Sequence, residues 1–363
     1  MWPDRRLIDL LGIEHPIVQA PMAGAMDWEL AAAVAEAGGL GSLPCGMLSP
    51  QQIREQMDKI RARTGKPINL NFFCHAAPEL NNAREAAWRN RLAPYYRELG
   101  VDPAAPVPSS NRAPFDAAQC ELVLELKPQV ASFHYGLPDA AFVRRIKETG
   151  ARVLCSATTV GEARELEAQG ADAVIAQGLE AGGHRGMFLT DDLAAQLGTF
   201  ALVPQIVDAV AVPVIAAGGI VDARAIAAAF ALGASGVQIG TGYLFCPEAK
   251  IAAPYRAALA EADARGTTMT NVFSGRPARG VVNRFIREVG PSSELAPEFP
   301  LATGAVMPLR AKAEAQGSGE FTPLWAGQAA PLGRAMPAGE LTRTLAQEAL
   351  ARMRGLGTPA SGQ

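Results

Sequence analysis

Cysteine is scarce, and its spacing is uninformative for ligation. The five residues Cys45, Cys74, Cys120, Cys155 and Cys246 are scattered, odd in number and never arranged as C-x-x-C. That pattern argues against a disulfide framework and against a zinc or other metal site, and fits a reducing compartment. Long apolar runs are also missing. The longest, "AVAVPVIAAGGIV", lies between Asp208 and Asp222 and is broken by Pro213 and two glycines. It falls short of the ~20 residues that cross a bilayer. The opening "MWPDRRLIDLLGIEHP" carries acidic residues and a very short apolar run, unlike a signal peptide. Lys and Arg form no basic stripe and the formal net charge is −3, so a nucleic-acid binder is not expected. Neither a P-loop nor a G-x-G-x-x-G segment occurs. A soluble, cytoplasmic protein is expected, with no nucleic-acid or membrane partner.

What is present is a large apolar fraction and a regular beat. The chain has 363 residues, 49% of them hydrophobic, enough for one α/β barrel with additions. Eight short apolar runs each precede a helical pattern: "HPIVQAPMAG" before 27–37, "GLGSLP" before 49–63, "KPINLNFF" before 115–127, and "QVASFHYG" before 138–149. The series continues with "ARVLCSA" before 159–169, "DAVIAQG" before 199–210, "VPVIAAGG" before 222–232, and "GVQIGTGYLF" before a helix near 248–263. Continuous apolar strands separated by helices indicate parallel strands buried on both faces, and eight units predict a (β/α)8 TIM barrel. Glycines in "EAGG", "ETGA", "AQGA" and "ALGA" stand where helix C-caps want them.

Two segments leave this beat. Residues 76–114 carry a charged helix and then the Pro- and Ser-rich "VDPAAPVPSSNRAP", an excursion over the rim or against a partner. The barrel is therefore placed at 1–263. Residues 264–363 are expected to form a mostly helical extension near the mouth, with an amphipathic helix at 338–354 and a frayed "GTPASGQ" tail.

Active sites of such barrels sit at the C-terminal strand ends. Those ends carry Met22, Asn71, His134, Ser156, Gln177 with His184, Gly218 with Gly219, and Gln238, Ile239, Gly240 and Thr241. His15 falls at the opposite end, and His75 falls at the rim. The glycines after the seventh and eighth strands suit a phosphate cradle, although they would also permit close strand–helix packing. Asn71 and Gln177 offer uncharged amides to a polar heterocycle, and strand-end Lys and Glu are nearly absent apart from Glu180. This combination favours flavin mononucleotide (FMN) over a sugar phosphate.

The motifs "QAPMAG", "NFF", "SFHYG", "QGLEAGGHRG", "AAGGI" and "QIGTGYL" occur in order, and together they resemble class I nitronate monooxygenases, also called 2-nitropropane dioxygenases. The resemblance covers almost the whole chain. It implies FMN-dependent oxidation of alkyl nitronates, with propionate 3-nitronate the preferred type, by O2 to a carbonyl compound and nitrite, without NAD(P)H. Carried over by motif, Asn71, Gln177, Gly182, Gly219 and Gln238 to Thr241 would hold FMN, with Met22 against the flavin. His184 would be the catalytic base or anion-stabilising group. From its place on the fourth strand His134 would bind the nitro group or a substrate carboxylate, and Arg185 would either contact substrate or anchor the loop through a salt bridge. Arg310 and Lys312 of "PLRAK" are a candidate carboxylate anchor. A flavin-dependent enoyl-ACP reductase, which shares an "EAGGH" segment, and an NAD(P)H:quinone reductase are the alternatives. A homo-oligomer is compatible with the sequence.

Overall fold

The computed structural model describes residues 1–102, 106, 108 and 112–356. Most of the Pro- and Ser-rich stretch and the whole of the tail expected to fray lie outside the described residues. The strands are β1 (Ile17–Gln19), β2 (Gly41–Pro44), β3 (Ile68–Phe73), β4 (Val130–His134), β5 (Arg152–Ala157), β6 (Ala173–Gln177), β7 (Gly183–His184), β8 (Val214–Ala217), β9 (Gly236–Ile239), β10 (Thr267–Thr270) and β11 (Ala278–Val281).

Eight of them form one parallel sheet in the order β1-β9-β8-β6-β5-β4-β3-β2. The ring closes where Gln19 N–H donates to Leu40 O and Leu40 N–H donates to Ile17 O, both at 2.9 Å. This is the expected TIM barrel. Its strands are buried almost throughout, which is why they read as unbroken apolar runs. Val18, Leu40, Val130, Leu154 and Ile215 pack with Leu7 and Leu11 of the short N-terminal helix Arg6–Leu11. Local signals place the outer helices. Pro50–Arg63 begins with a Ser49/Gln52 capping box and Pro at its first position. Helix-terminating glycines 38, 150, 170 and 233 adopt the positive φ that the sequence pattern calls for.

The eighth barrel helix differs from expectation. Residues after β9 form only the short helices Thr241–Leu244, Ala253–Ala260 and Ala262–Arg265. The outer position between helices Trp28–Glu36 and Ala223–Ala231 is instead filled by Ala338–Leu356, whose Leu341, Leu345, Ala346 and Ala349 join the main core. The chain thus leaves the barrel after its last strand, builds about ninety residues over the mouth, and returns to complete the outer ring. A boundary at 263 separates the eighth strand from its helix. Repetition in the sequence favoured the nearest helical stretch, whereas the apolar face of 338–356 had the better-matched groove.

The extension is also less helical than expected. Strands β10 and β11 make an antiparallel hairpin, and β11 pairs with β7, setting Ala278 opposite His184 and Arg279 opposite Gly183. Helix Ala302–Ala315 packs against Asn82–Leu99, the helix of the excursion. Trp88, Leu92, Tyr95 and Tyr96 meet Phe273, Phe285, Leu309 and Phe321 in a second core. Tyr96 Oη donates to Ala305 O at 2.6 Å, pinning the two helices together. The excursion therefore folds against the extension.

If 338–356 is a barrel element, Leu345→Ala opens a cavity in the main core. The expected loss is ~2–5 kcal/mol of unfolding free energy, read by urea titration. A surface appendage would lose far less.

Candidate active site

Gln177 ends β6, and the chain then crosses the mouth as a glycine-rich loop. Each end of the Gln177 amide holds that loop. Nε2 donates to His184 O at 2.9 Å, and Oε1 accepts from Gly186 N at 2.8 Å. Gly186 permits the approach, since a Cβ there would lie 2.7 Å from Ser156 Oγ and 2.8 Å from His134 Cε1. At Gly182 a Cβ would lie 2.5 Å from the backbone of Ala326 and Gly327. These two glycines serve close packing of the loop against protein.

One cavity of about 260 Å³ opens at the mouth. Of the residues the sequence singled out, Met22, Asn71, His134, Gln177, Gly182, His184, Gly218, Gly219, Gln238, Gly240 and Thr241 line it. Ile239 does not; its side chain is fully buried in the core beneath the helices. The adjacent positions alternate across the strand, so the side chain of one neighbour faces away. Arg310 also lines the cavity, while Lys312 is exposed elsewhere.

Arg185 is a further correction. Its side chain has 0% exposure and does not reach the cavity. The guanidinium donates to Gly178 O (2.6 Å), Gln177 O (2.7 Å) and Gln196 Oε1 (2.8 Å). It is a staple for the loop base, not a substrate ligand. Of the two roles the sequence leaves open for Arg185, the hydrogen bonds match the loop anchor, because successive residues of the extended segment point to opposite sides.

His134 does line the cavity, but both its ring nitrogens are engaged. Nε2 lies 3.3 Å from His184 O, and Nδ1 lies 2.6 Å from Ser156 Oγ. A carbonyl can only accept, so the network assigns the proton to Nε2 and makes Ser156 the donor to Nδ1. His134 therefore holds the backbone of His184 in place and has no ring nitrogen left for substrate. Burial and the nearby Arg276 cation push it down to about 3.

His184 presents its ring between Phe299 and Trp325, at centroid distances of 5.2 and 5.3 Å. Its Nε2 is 2.9 Å from Ser274 Oγ. Burial, then the cations Arg112 and Arg276 and the neighbouring His134 and His75, hold its pKa well below the ordinary histidine value. The ring is thus a neutral imidazole near pH 7. His75 lies behind the mouth, boxed by Phe73, Tyr135 and Phe299, and burial with Arg276 lowers it to about 4. It does not line the cavity.

Ser274, Tyr255, Phe299, Trp325 and Arg276 were not identified from the sequence. All lie in the segment that covers the mouth after β9. The one available signal was the turn-rich "FSGRPARG", which carries no periodicity to place it in space.

A half-buried histidine facing a cavity rimmed by amides and glycines is consistent with the comparisons to known proteins. The sequence model described as nitronate monooxygenase matches residues 4–348. The chain belongs to the nitronate monooxygenase family. A nitronate monooxygenase of Paraburkholderia phytofirmans is 45% identical over 347 residues, covering 95% of this chain and 94% of its own. One from Pseudomonas aeruginosa is 44% identical over 345 residues, covering 94% and 98%. The solved nitroalkane oxidase from Streptomyces ansochromogenes is 38% identical with a TM-score of 0.88, covering 97% of this chain and all of its own. FabK from Thermotoga maritima is 30% identical with a TM-score of 0.73, covering 98% and 99%. Like its relatives in the nitronate monooxygenase family, this chain is an oxidoreductase. Among the described residues no helix is long and apolar enough to cross a membrane.

Two outcomes are expected here. Arg185→Met removes the guanidinium donors of Gln177 O and Gln196 Oε1 and leaves Gly178 O with only the Ala181 N–H, and should cost roughly 3–5 kcal/mol by urea unfolding. A stable variant with only a raised KM would return Arg185 to the substrate site. The second concerns pH. A histidine in the unfolded chain protonates near ~6.5, whereas folded His134 does so only at about 3. Between those values the unfolded state binds more protons, so stability falls as pH drops below ~6.5. His134→Gln should flatten that slope between pH 7 and pH 5.

Proposed function

We propose that this chain is an FMN-dependent nitronate monooxygenase that oxidises alkyl nitronates with O2 to a carbonyl compound and nitrite, without NAD(P)H. The observation that carries the reading is His184, whose pKa desolvation and nearby cations hold below the ordinary histidine value, at the wall of a cavity that also presents the amides of Asn71, Gln177 and Gln238, the mouth glycines and the cations Arg112, Lys250 and Arg310.

The residues fit FMN. Gln238 Oε1 is buried with no hydrogen-bond partner, an acceptor that a flavin ring N–H would satisfy. Gly218 and Gly219, with φ of 111° and 70°, turn bare backbone toward the cavity, as a phosphate cradle requires. Met22, Asn71, Gly182, Gly240 and Thr241 complete the set, and Gln177 acts by holding the loop. Bound FMN would supply the electron transfer between nitronate and O2.

The chain's own groups bind, orient and move the proton. His184 removes the α-proton of a neutral nitroalkane, a task suited to an imidazole unprotonated at the working pH. A substrate that is already a nitronate needs no such removal. Arg310, held by Glu314 at 2.8 Å while lining the cavity, offers a cation to a substrate carboxylate such as that of propionate 3-nitronate. From the extension, Arg310, Pro323, Trp325, Gly327 and Ala329 line the cavity.

The first experiment is a visible spectrum of the purified protein, followed by mixing in air with propionate 3-nitronate and assay of nitrite. A yellow FMN spectrum and nitrite release without NAD(P)H are expected. Bleaching by NADH or NADPH with no nitrite would transfer the chain to the reductase reading. His184→Asn should keep FMN and lose ~10²–10⁴-fold in kcat/KM on neutral nitroalkane. Retention of that activity removes His184 from proton transfer.

A further inference from the structure

The segment "FSGRPARG" is turn-rich and carries no periodicity. In the structure it runs along the outer edge of the histidine loop. Arg185 N–H donates to Pro277 O at 2.9 Å, and β11 pairs directly with Gly183 and His184. Ser274, 2% exposed, places its hydroxyl 2.9 Å from His184 Nε2 and 3.4 Å from Arg276 O. Arg276 in turn lies with its guanidinium 4.2 Å from the Tyr135 ring centre and donates to Met187 O. The carbonyl at the end of this chain of contacts is therefore held in place.

That carbonyl sets a direction. It can only accept, so a hydroxyl bridging it to the imidazole gives its proton to Arg276 O and accepts from the ring. We propose that Ser274 is a positioning residue that fixes the tautomer of His184, with the proton on Nε2 and the lone pair on Nδ1. Among the described residues Nδ1 has no hydrogen-bond partner, which leaves it available to the cavity that His184 lines.

The inference rests on the proton-transfer role proposed above and adds which atom performs it. The α-proton of a neutral nitroalkane passes to Nδ1, and the C–H electron pair stays with the substrate as the nitronate. The imidazolium so formed keeps its Nε2–H on Ser274, and no ring rotation is needed. The opposite tautomer would present an N–H to the cavity and could not take the proton at that position.

The chain's four histidines make a direct test practical. In protein labelled with 15N-histidine, with His184→Asn used to assign its resonances, His184 should show a protonated Nε2 and a bare Nδ1 at neutral pH. Ser274→Ala should lose that preference, and Ser274→Thr, which keeps the hydroxyl, should restore it. With nitroethane, Ser274→Ala should lower kcat/KM roughly tenfold to a hundredfold. With preformed ethylnitronate the change should stay within about threefold. Wild-type protein with Nδ1 protonated overturns the proposal, even if Ser274→Ala fails to fold. Equal losses on both substrates do so as well. Wild-type protein that forms no nitrite from any nitronate while showing the expected tautomer would instead count against the function, so the two failures are distinguishable.

Discussion

The guanidinium of Arg185 sits without solvent contact beneath the mouth of the barrel, and its hydrogen bonds gather the pieces from which the site is made. It binds the carbonyls of Gln177 and Gly178 and the side chain of Gln196. Gln196 Nε2 donates to Thr158 Oγ1, and Thr158 donates to the buried carboxylate of Glu162. Glu162 also receives the Phe188 and Leu189 N–H groups beyond the histidine. A buried cation and a buried anion are thus linked through neutral relays, and every nitrogen of the guanidinium and both oxygens of the carboxylate have a hydrogen-bond partner. Burying such charges is costly unless they are fully partnered, and here the partners are the two ends of the loop that carries His184. Burial lowers Arg185 to about 10, which still leaves it charged at neutral pH.

From that base the histidine is held on every side by a different element. Gln177 of β6 and His134 of β4 both donate to its carbonyl, β11 pairs with its backbone, and Ser274 meets its ring. Preorganisation of this kind is what proton transfer needs, because a small displacement of the base is expensive in rate. The same crowding, with Arg112 and Arg276 close by, lowers the pKa of the ring below the ordinary histidine value. Position and protonation state therefore follow from one set of contacts.

The cover of the mouth comes from two insertions far apart in the chain. Asn82–Leu99 lies after the third barrel strand, and Ala302–Ala315 lies after the last. They share one core, in which Trp88 of the first and Leu309 of the second pack with Phe285 and Phe321 of the segments between and after them. Phe299 and Trp325, which flank His184, and Phe273, which packs on Trp325, belong to the same cover. The barrel underneath supplies the rigid floor.

Local chemistry alone determined the strands and most outer helices. The unbroken apolar runs, the Ser49 cap and the glycines at 38, 150, 170 and 233 act over a few residues. Strand ends were legible for the same reason, which is why Met22, Asn71, His134, Gln177, His184 and Gln238 could be named before their neighbours were known. Only tertiary structure could decide what each of them touches. Ala338–Leu356 became the eighth barrel helix because its apolar face fits the remaining groove, a long-range matter that no local pattern contains. Arg185 turned inward to its relay of partners, Ile239 turned to the core, and His134 used its nitrogens on Ser156 and a carbonyl. Ser274 reached His184 from ninety residues away. Residue type and spacing set which groups could act, but which of them do was settled by hydrogen-bond partners brought together across the fold.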